Sequence, residues 1–164
     1  RNYFIMKYKE LEHNNLIIPR LMNIQTANSD ESIEKCFSVI HALRPHLEKQ
    51  YFLALIKDMQ SRGYHLIFIE DNGQALAAAG YRFTEHLLWG KSIYIDDLST
   101  LPEARGKGFA TALLDHIAMI ARNNGCKEVH LDSGANPGRY DAHRLYLNSG
   151  YNITSFHFAL SLSK

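Results

Sequence analysis

From Ser29 onward the chain switches between two hydrophobic periods, and the switches mark out its elements. Ile33, Phe37, Ile40 and Leu43 recur at helical spacing behind a cap supplied by Ser29 or Asp30, which predicts one helix stopped by Pro45. Tyr51, Phe52, Leu55, Ile56 and Met59 repeat the pattern between Leu47 and Arg62, with Gly63 placed to end a second helix. A short strand is expected near Met22 to Gln25. At Tyr64 the period falls to two. His65 to Glu70 and Ala75 to Phe83 read as strands joined by a tight hairpin at Asp71-Asn72-Gly73-Gln74. Thr84 to Gly90 reads as a loop containing Trp89, and Ser92 to Thr100 as a third extended segment closed by Pro102.

Helical spacing returns from Gly108 to Asn124, where Phe109, Leu113, Ile117 and Ile120 share one face and Gly125 ends the run. Val129 and Leu131 mark another strand. Asp141 to Ser149 fits a final helix capped by Asp141 and closed by Gly150, and Tyr151 to Leu162 has the pattern of a terminal strand. Helices, then a meander, then strand and helix in alternation describe an α/β fold with a sheet of mixed direction.

Composition narrows the class. With 164 residues, 46% of them hydrophobic, the chain fits one compact domain, placed at residues 22–164. Residues 1–21 are polar and weakly patterned, an N-terminal arm or leader, with Met6 and Met22 both possible starts. No apolar stretch is long enough to cross a bilayer and no signal pattern opens the chain, so a soluble, cytoplasmic protein is expected. Lys and Arg total 18 against 17 Asp and Glu, which leaves no global basic field for nucleic acid. Any anion site must be local. Cys36 and Cys126 lack a CxxC partner and read as reduced thiols, and the nine histidines lack metal-ligand spacing, so no metal is expected.

Such a local site is offered by Arg105-Gly106-Lys107-Gly108-Phe109-Ala110, set between the strand ending near Thr100 and the most strongly patterned helix. Small residues at Gly106, Gly108 and Ala110 let backbone curl around a ligand, while the helix start supplies unpaired N–H groups and partial positive charge. Arg105 and Lys107 add two cations, suiting the phosphates of a nucleotide-like cofactor. The plainer alternative is a glycine-rich turn with two solvated cations. A Walker loop is never spelled, and a dinucleotide fingerprint breaks at Thr111.

These residues resemble the GNAT acetyltransferase family. Its signature [QR]-x-x-G-x-[GA] is met by Arg105, Gly108 and Ala110, and Ile93 to Pro102 is similar to the strand that precedes it. Ala142-His143-Arg144-Leu145-Tyr146, followed by Gly150-Tyr151, is similar to the family's second landmark. The resemblance covers roughly Met22 to Leu162. It implies a mixed, mainly antiparallel central sheet flanked by helices, acetyl-CoA as co-substrate, and transfer of acetyl to a primary amine. The implied cofactor-binding residues are Leu98, Ser99, Thr100, Arg105, Gly106, Lys107, Gly108, Phe109, Ala110, Thr111 and Arg139. Arg139 stands where many members have Asn, and the loop before it, Asp132 to Gly138, is longer than the common form.

The same resemblance implies a catalytic set. The Leu98 amide would stabilise an oxyanion, and Tyr146 would protonate the departing thiolate. An alkylamine with a pKa of about 10.4 must lose a proton before it attacks. Asp96 and Asp97 are the candidates to take that proton or hold the ammonium, or they are edge carboxylates without chemistry. Strand alternation turns only one of them toward a cleft, and Asp97 is preferred. Tyr146 also has a packing role available, on a stripe with Ala142 and Leu145. The acceptor pocket is expected from the first two helices and Thr84 to Gly90, with Tyr81, Glu85, His86 and Trp89 as lining. The acceptor is a small molecule or a peptide amine, and a homodimer is possible; the alternative function is a catalytically silent acyl-CoA-binding module.

Overall fold

The computed structural model describes residues 22–162; the arm at residues 1–21 lies outside them. β1 (Ile24–Thr26) leads into α1 (Asp30–Lys35), α2 (Phe37–Leu43) and α3 (Lys49–Ser61). Then come β2 (Tyr64–Asp71), β3 (Gln74–His86), β4 (Gly90–Thr100), α4 (Phe109–Asn123), β5 (Glu128–Leu131) and α5 (Tyr140–Asn148). Short 3-10 turns at Pro102–Ala104 and Pro137–Arg139 precede α4 and α5. None of the described helices is long and apolar enough to cross a membrane.

Ser29 caps α1 as expected: its Oγ accepts the Ser32 amide at 3.2 Å while its own amide donates to Ser32 Oγ. The single helix expected through Leu43 is instead two. The Cys36 amide donates to Ile33 O at 3.0 Å, a tighter closure than the α-helical one, and α2 restarts at Phe37. Ile33, Cys36, Val39 and Ile40 are all buried across this break. On α3 the buried positions are Phe52 and Ile56, whereas Tyr51 and Leu55, expected on the same stripe, stand exposed.

The strands assemble in the order β1-β2-β3-β4-β5, the first three pairings antiparallel and the last parallel. The expected loop over Thr84 to Gly90 is mostly strand. Glu85 pairs opposite Lys91 and the Thr84 and Ser92 hydroxyls lie 2.9 Å apart, so the ladder runs on to a three-residue turn holding Trp89. Side-chain alternation splits the interior in two. Tyr64, Leu66, Phe68 and Ala78 meet α1 to α3 on one face, while Ile67, Ile69, Ala79, Tyr81, Ile93 and Ile95 meet Leu113, Leu114 and Ile117 of α4 on the other.

Two further expectations are corrected. Asp141 does not cap α5 but lies inside its first turn, paired with Arg144 at 2.8 Å; the turn at Pro137–Arg139 starts the helix. Tyr151 to Leu162 forms no strand. A period of two supplies propensity only, and no ladder in the described sheet takes up this segment's backbone groups, so Ile153, Phe156, Phe158, Leu160 and Leu162 stand more than 80% exposed.

Candidate active site

Between β4 and β5 the parallel pairing ends at Ile95↔Leu131. Beyond it β4 follows β3 as far as Thr100, while the other chain turns away into the loop of Asp132 to Asn136. The parting strands open a cleft of about 290 Å³, lined by Ile95, Asp96 and Leu98 from β4, Leu131 and Asp132 from the end of β5, Arg139 and Tyr146 from α5 and its lead-in turn, and Arg44 from the end of α2. Backbone of β4 beyond Ile95 has lost its β5 partner, so groups on that edge are free to bond a ligand.

Tyr146 is buried on α5 and enters the cleft. Burial pushes its phenol above the ordinary value, and the hydrogen-bonded Arg139 guanidinium pulls it part of the way back. The group is therefore a neutral O–H donor with a cation beside it. Arg139 also reaches Ser133 Oγ from Nε at 3.3 Å. The sequence-predicted pair Arg139 and Tyr146 is thus brought together with Leu98 and Asp96.

Asp96 and Asp97 do not face opposite ways. Gly80 pairs with Asp97 but Tyr81 pairs with Ile95, which leaves Asp96 as the extra residue of a β-bulge. The bulge resets the alternation, so both carboxylates fall on the α1 to α3 face. Asp96 accepts Arg82 Nε at 2.6 Å, and Asp97 accepts Arg44 Nε at 2.9 Å and the Tyr64 hydroxyl at 3.0 Å. Arg82 in turn lies over the Tyr64 ring, 5.2 Å from its centroid. Asp96, not the preferred Asp97, lines the cleft. Desolvation, with Asp97 next in effect, drives the Tyr64 phenol far above its usual range and keeps it a donor.

Of the remaining expected cofactor residues, Ser99 points away from the cleft and donates to Val39 O at 2.7 Å, tying β4 to α2. The buried Thr100 hydroxyl has no hydrogen-bond partner among the described residues. The loop Arg105 to Thr111 lies past the end of β4, outside the cleft lining. Gly106 at φ 74° and Gly108 at φ 82° adopt the left-handed conformation, and a side chain at Gly106 would meet nothing within 4 Å. Among the described residues no side chain caps α4, so the amides of its first turn, Phe109, Ala110 and Thr111, have no capping side chain there. Arg105 and Lys107 are exposed beside them. Two left-handed glycines, first-turn amides without a side-chain cap among the described residues, and two exposed cations fit a phosphate group.

The expected acceptor lining is not assembled. Tyr81 is buried on the α4 face against His65, and Trp89 stacks on His130 at 4.2 Å with His86 at its edge. Glu85 is drawn into the hairpin opposite Lys91. Arg44, Tyr64, Arg82 and Asp132 were missed by sequence reasoning. One signal for Tyr64 stood in the sequence: Gly80, a lone glycine inside a strand, marks a close approach, and a Cβ there would lie 1.8 Å from the Tyr64 hydroxyl.

A model of the acetyltransferase (GNAT) family matches residues 29–151. The chain belongs to this family. Among curated proteins, the GNAT chain is 29% identical over 63 residues to thialysine N-epsilon-acetyltransferase of Mus musculus, a stretch covering 38% of this chain and 37% of that enzyme's length. Among solved structures, a Trypanosoma brucei acetyltransferase superimposes with a TM-score of 0.69 at 22% identity, covering 85% of this chain and 99% of that one. The aminoglycoside N-acetyltransferase AAC(6')-Iy, solved in complex with CoA, gives 0.72 at 16% identity over 88% of this chain and 98% of its own. At these identities the structural likeness shows that the GNAT chain has the fold of both.

Proposed function

We propose that this chain transfers an acetyl group from acetyl-CoA to a primary amine by direct attack on the thioester. The observation that carries the reading is the cleft between the parting strands β4 and β5, where Leu98 and Tyr146 meet, in a chain whose glycine loop at Arg105 to Thr111 follows the end of β4. The phosphates would rest on the amides of Gly106 to Thr111 with Arg105 and Lys107 as counter-charges. The pantetheine arm would take main-chain bonds from Leu98 to Thr100 along the freed edge of β4. The ammonium gives one proton to solvent and its nitrogen adds to the carbonyl carbon; the Leu98 amide stabilises the oxygen as it gains charge, and the C–S bond breaks as the tetrahedral species collapses and the nitrogen releases a second proton to solvent. Tyr146 gives its hydroxyl proton to the leaving sulfur and recovers one from solvent. Its neutral state, with Arg139 alongside, supports that role.

A catalytically silent acyl-CoA-binding module is the second reading. It is favoured by one observation: Asp96 and Asp97 are each held by an arginine, so neither is a free base. Mixing the protein with acetyl-CoA and a panel of amines, while following free thiol, separates the two. Acceptor-dependent thiol release is expected. Coenzyme A binding without such release on any amine would establish the module instead. Within the enzyme reading, Tyr146→Phe lowers kcat about a hundredfold or more with cofactor affinity kept, whereas Arg105→Ala weakens cofactor binding; unchanged constants in both variants would refute the assignment.

A further inference from the structure

Four charged side chains line the cleft, Arg44, Asp96, Asp132 and Arg139, and they are not equally engaged. Asp96 is neutralised by Arg82 at 2.6 Å, and Arg44 is spent on Asp97 at 2.9 Å. Arg139 is drawn to Tyr146 and Ser133. Asp132 differs. The Tyr94 hydroxyl donates to its Oδ2, and His157 Nδ1 lies 2.9 Å from the same oxygen, an ion-pair contact when that ring is protonated. No arginine or lysine pairs with it among the described residues. Its other oxygen, Oδ1, carries no contact from the described residues, and the side chain is 48% exposed.

On the reading of this cleft as an acetyltransferase site, we propose that Asp132 Oδ1 binds the protonated amine of the acceptor and brings its nitrogen to the cleft. The acceptor class is then a primary alkylamine, charged at neutral pH, rather than an aromatic amine or an alcohol. Tyr94 and His157 are positioning residues. The Tyr94 bond and the His157 ring both engage Oδ2 and leave Oδ1 without a described polar partner, so the carboxylate is held before the ligand arrives. Desolvation and the bond to Asp132 hold the Tyr94 phenol protonated, so it serves as a donor throughout. Asp132 lies one residue beyond Leu131, where the ladder ends, and Asp96 lies one beyond Ile95 on the opposite strand. The anchor therefore stands where the strands begin to part.

The test uses the full chain and a simple probe, butylamine, with butanol as its uncharged counterpart. Titrated calorimetrically into the complex with coenzyme A, butylamine is expected to bind and butanol not. Asp132→Asn is expected to weaken butylamine about 10-fold to 100-fold, the range of a charge-assisted hydrogen bond, with coenzyme A affinity unchanged. Tyr94→Phe and His157→Gln, which leave the carboxylate in place, are expected to give smaller losses confined to the amine. Where turnover is measurable the same variants raise KM for the amine more than they lower kcat, a split that damage to the fold would not produce. Equal butylamine affinity in wild type and Asp132→Asn overturns the proposal, as does equal binding of butanol. Failure of the enzyme reading is distinct, since it removes thiol release from the wild type while the calorimetric comparison still decides the anchor.

Discussion

At the scale of single residues, the most informative position is a glycine without chemistry of its own. Gly80 leaves room for the Tyr64 ring to lie against β3, and Tyr64 in turn holds Asp97. Gly80→Ala is expected to lower stability by about 1–3 kcal/mol, read as a shifted denaturant midpoint, because a methyl group 1.8 Å from the hydroxyl forces the ring to move. Gly80→Ala should cost less when Tyr64 is already Ala, which removes the whole ring; no change from Gly80→Ala alone would show that the ring does not sit there. The glycine loop was legible from local spacing, whereas Leu98, Arg139 and Tyr146 came with the family resemblance, which rests on short motifs. Asp132 was not, since what distinguishes it is that no arginine or lysine of the described residues pairs with it, a relation among residues far apart in sequence.

Among elements, α2 and β4 are joined by polar contacts of different kinds. Arg44 at the end of α2 bonds Asp97 at 2.9 Å and the Asp96 carbonyl at 3.1 Å, and Ser99 donates to Val39 O. Asp97 is only 11% exposed, so Arg44→Ala leaves a largely buried carboxylate with the Tyr64 hydroxyl alone. The expected loss is roughly 1–3 kcal/mol. Adding Asp97→Asn should restore part of it, because the second change removes the charge left without its partner. A strictly additive pair of losses would show that the ion pair is not coupled. Helix α4 and the hairpin of β2 and β3 could be read from period and turn chemistry, both local. The break at Cys36 and the loss of a terminal strand could not. One depends on which turn lets Ile33 and Val39 reach a shared core, the other on whether a ladder partner exists.

For the whole molecule, the order of elements predicted the mixed sheet, and the family resemblance implied helices flanking it. What remained hidden was the pairing register, which fixes the side of the sheet each residue takes. Stability against pH is a property of this whole. Burial lowers the proton affinity of His65 and His116 in the folded state, while the unfolded chain protonates them near the ordinary 6.5. On acidification the unfolded chain binds protons first, so the histidines' contribution is intact above about 6.5 and declines as pH falls through that value toward their lower folded-state values. Urea midpoints measured across this window should fall with pH, and His65→Gln combined with His116→Gln should flatten the slope; an unaltered slope would place its origin elsewhere. The extra residue at Asp96 has a consequence for how this gene can change length. Excising that one codon would leave Ile95 opposite Tyr81 and Asp97 opposite Gly80, restoring strict alternation with Leu98 and Ser99 on their present sides. Deletion of Asp96 should therefore leave the fold intact at the cost of its Arg82 ion pair, whereas deletion of Leu98, a paired residue, would exchange the faces of Ser99 and Thr100 and abolish folding; equal denaturant midpoints for the two deletions would refute the bulge.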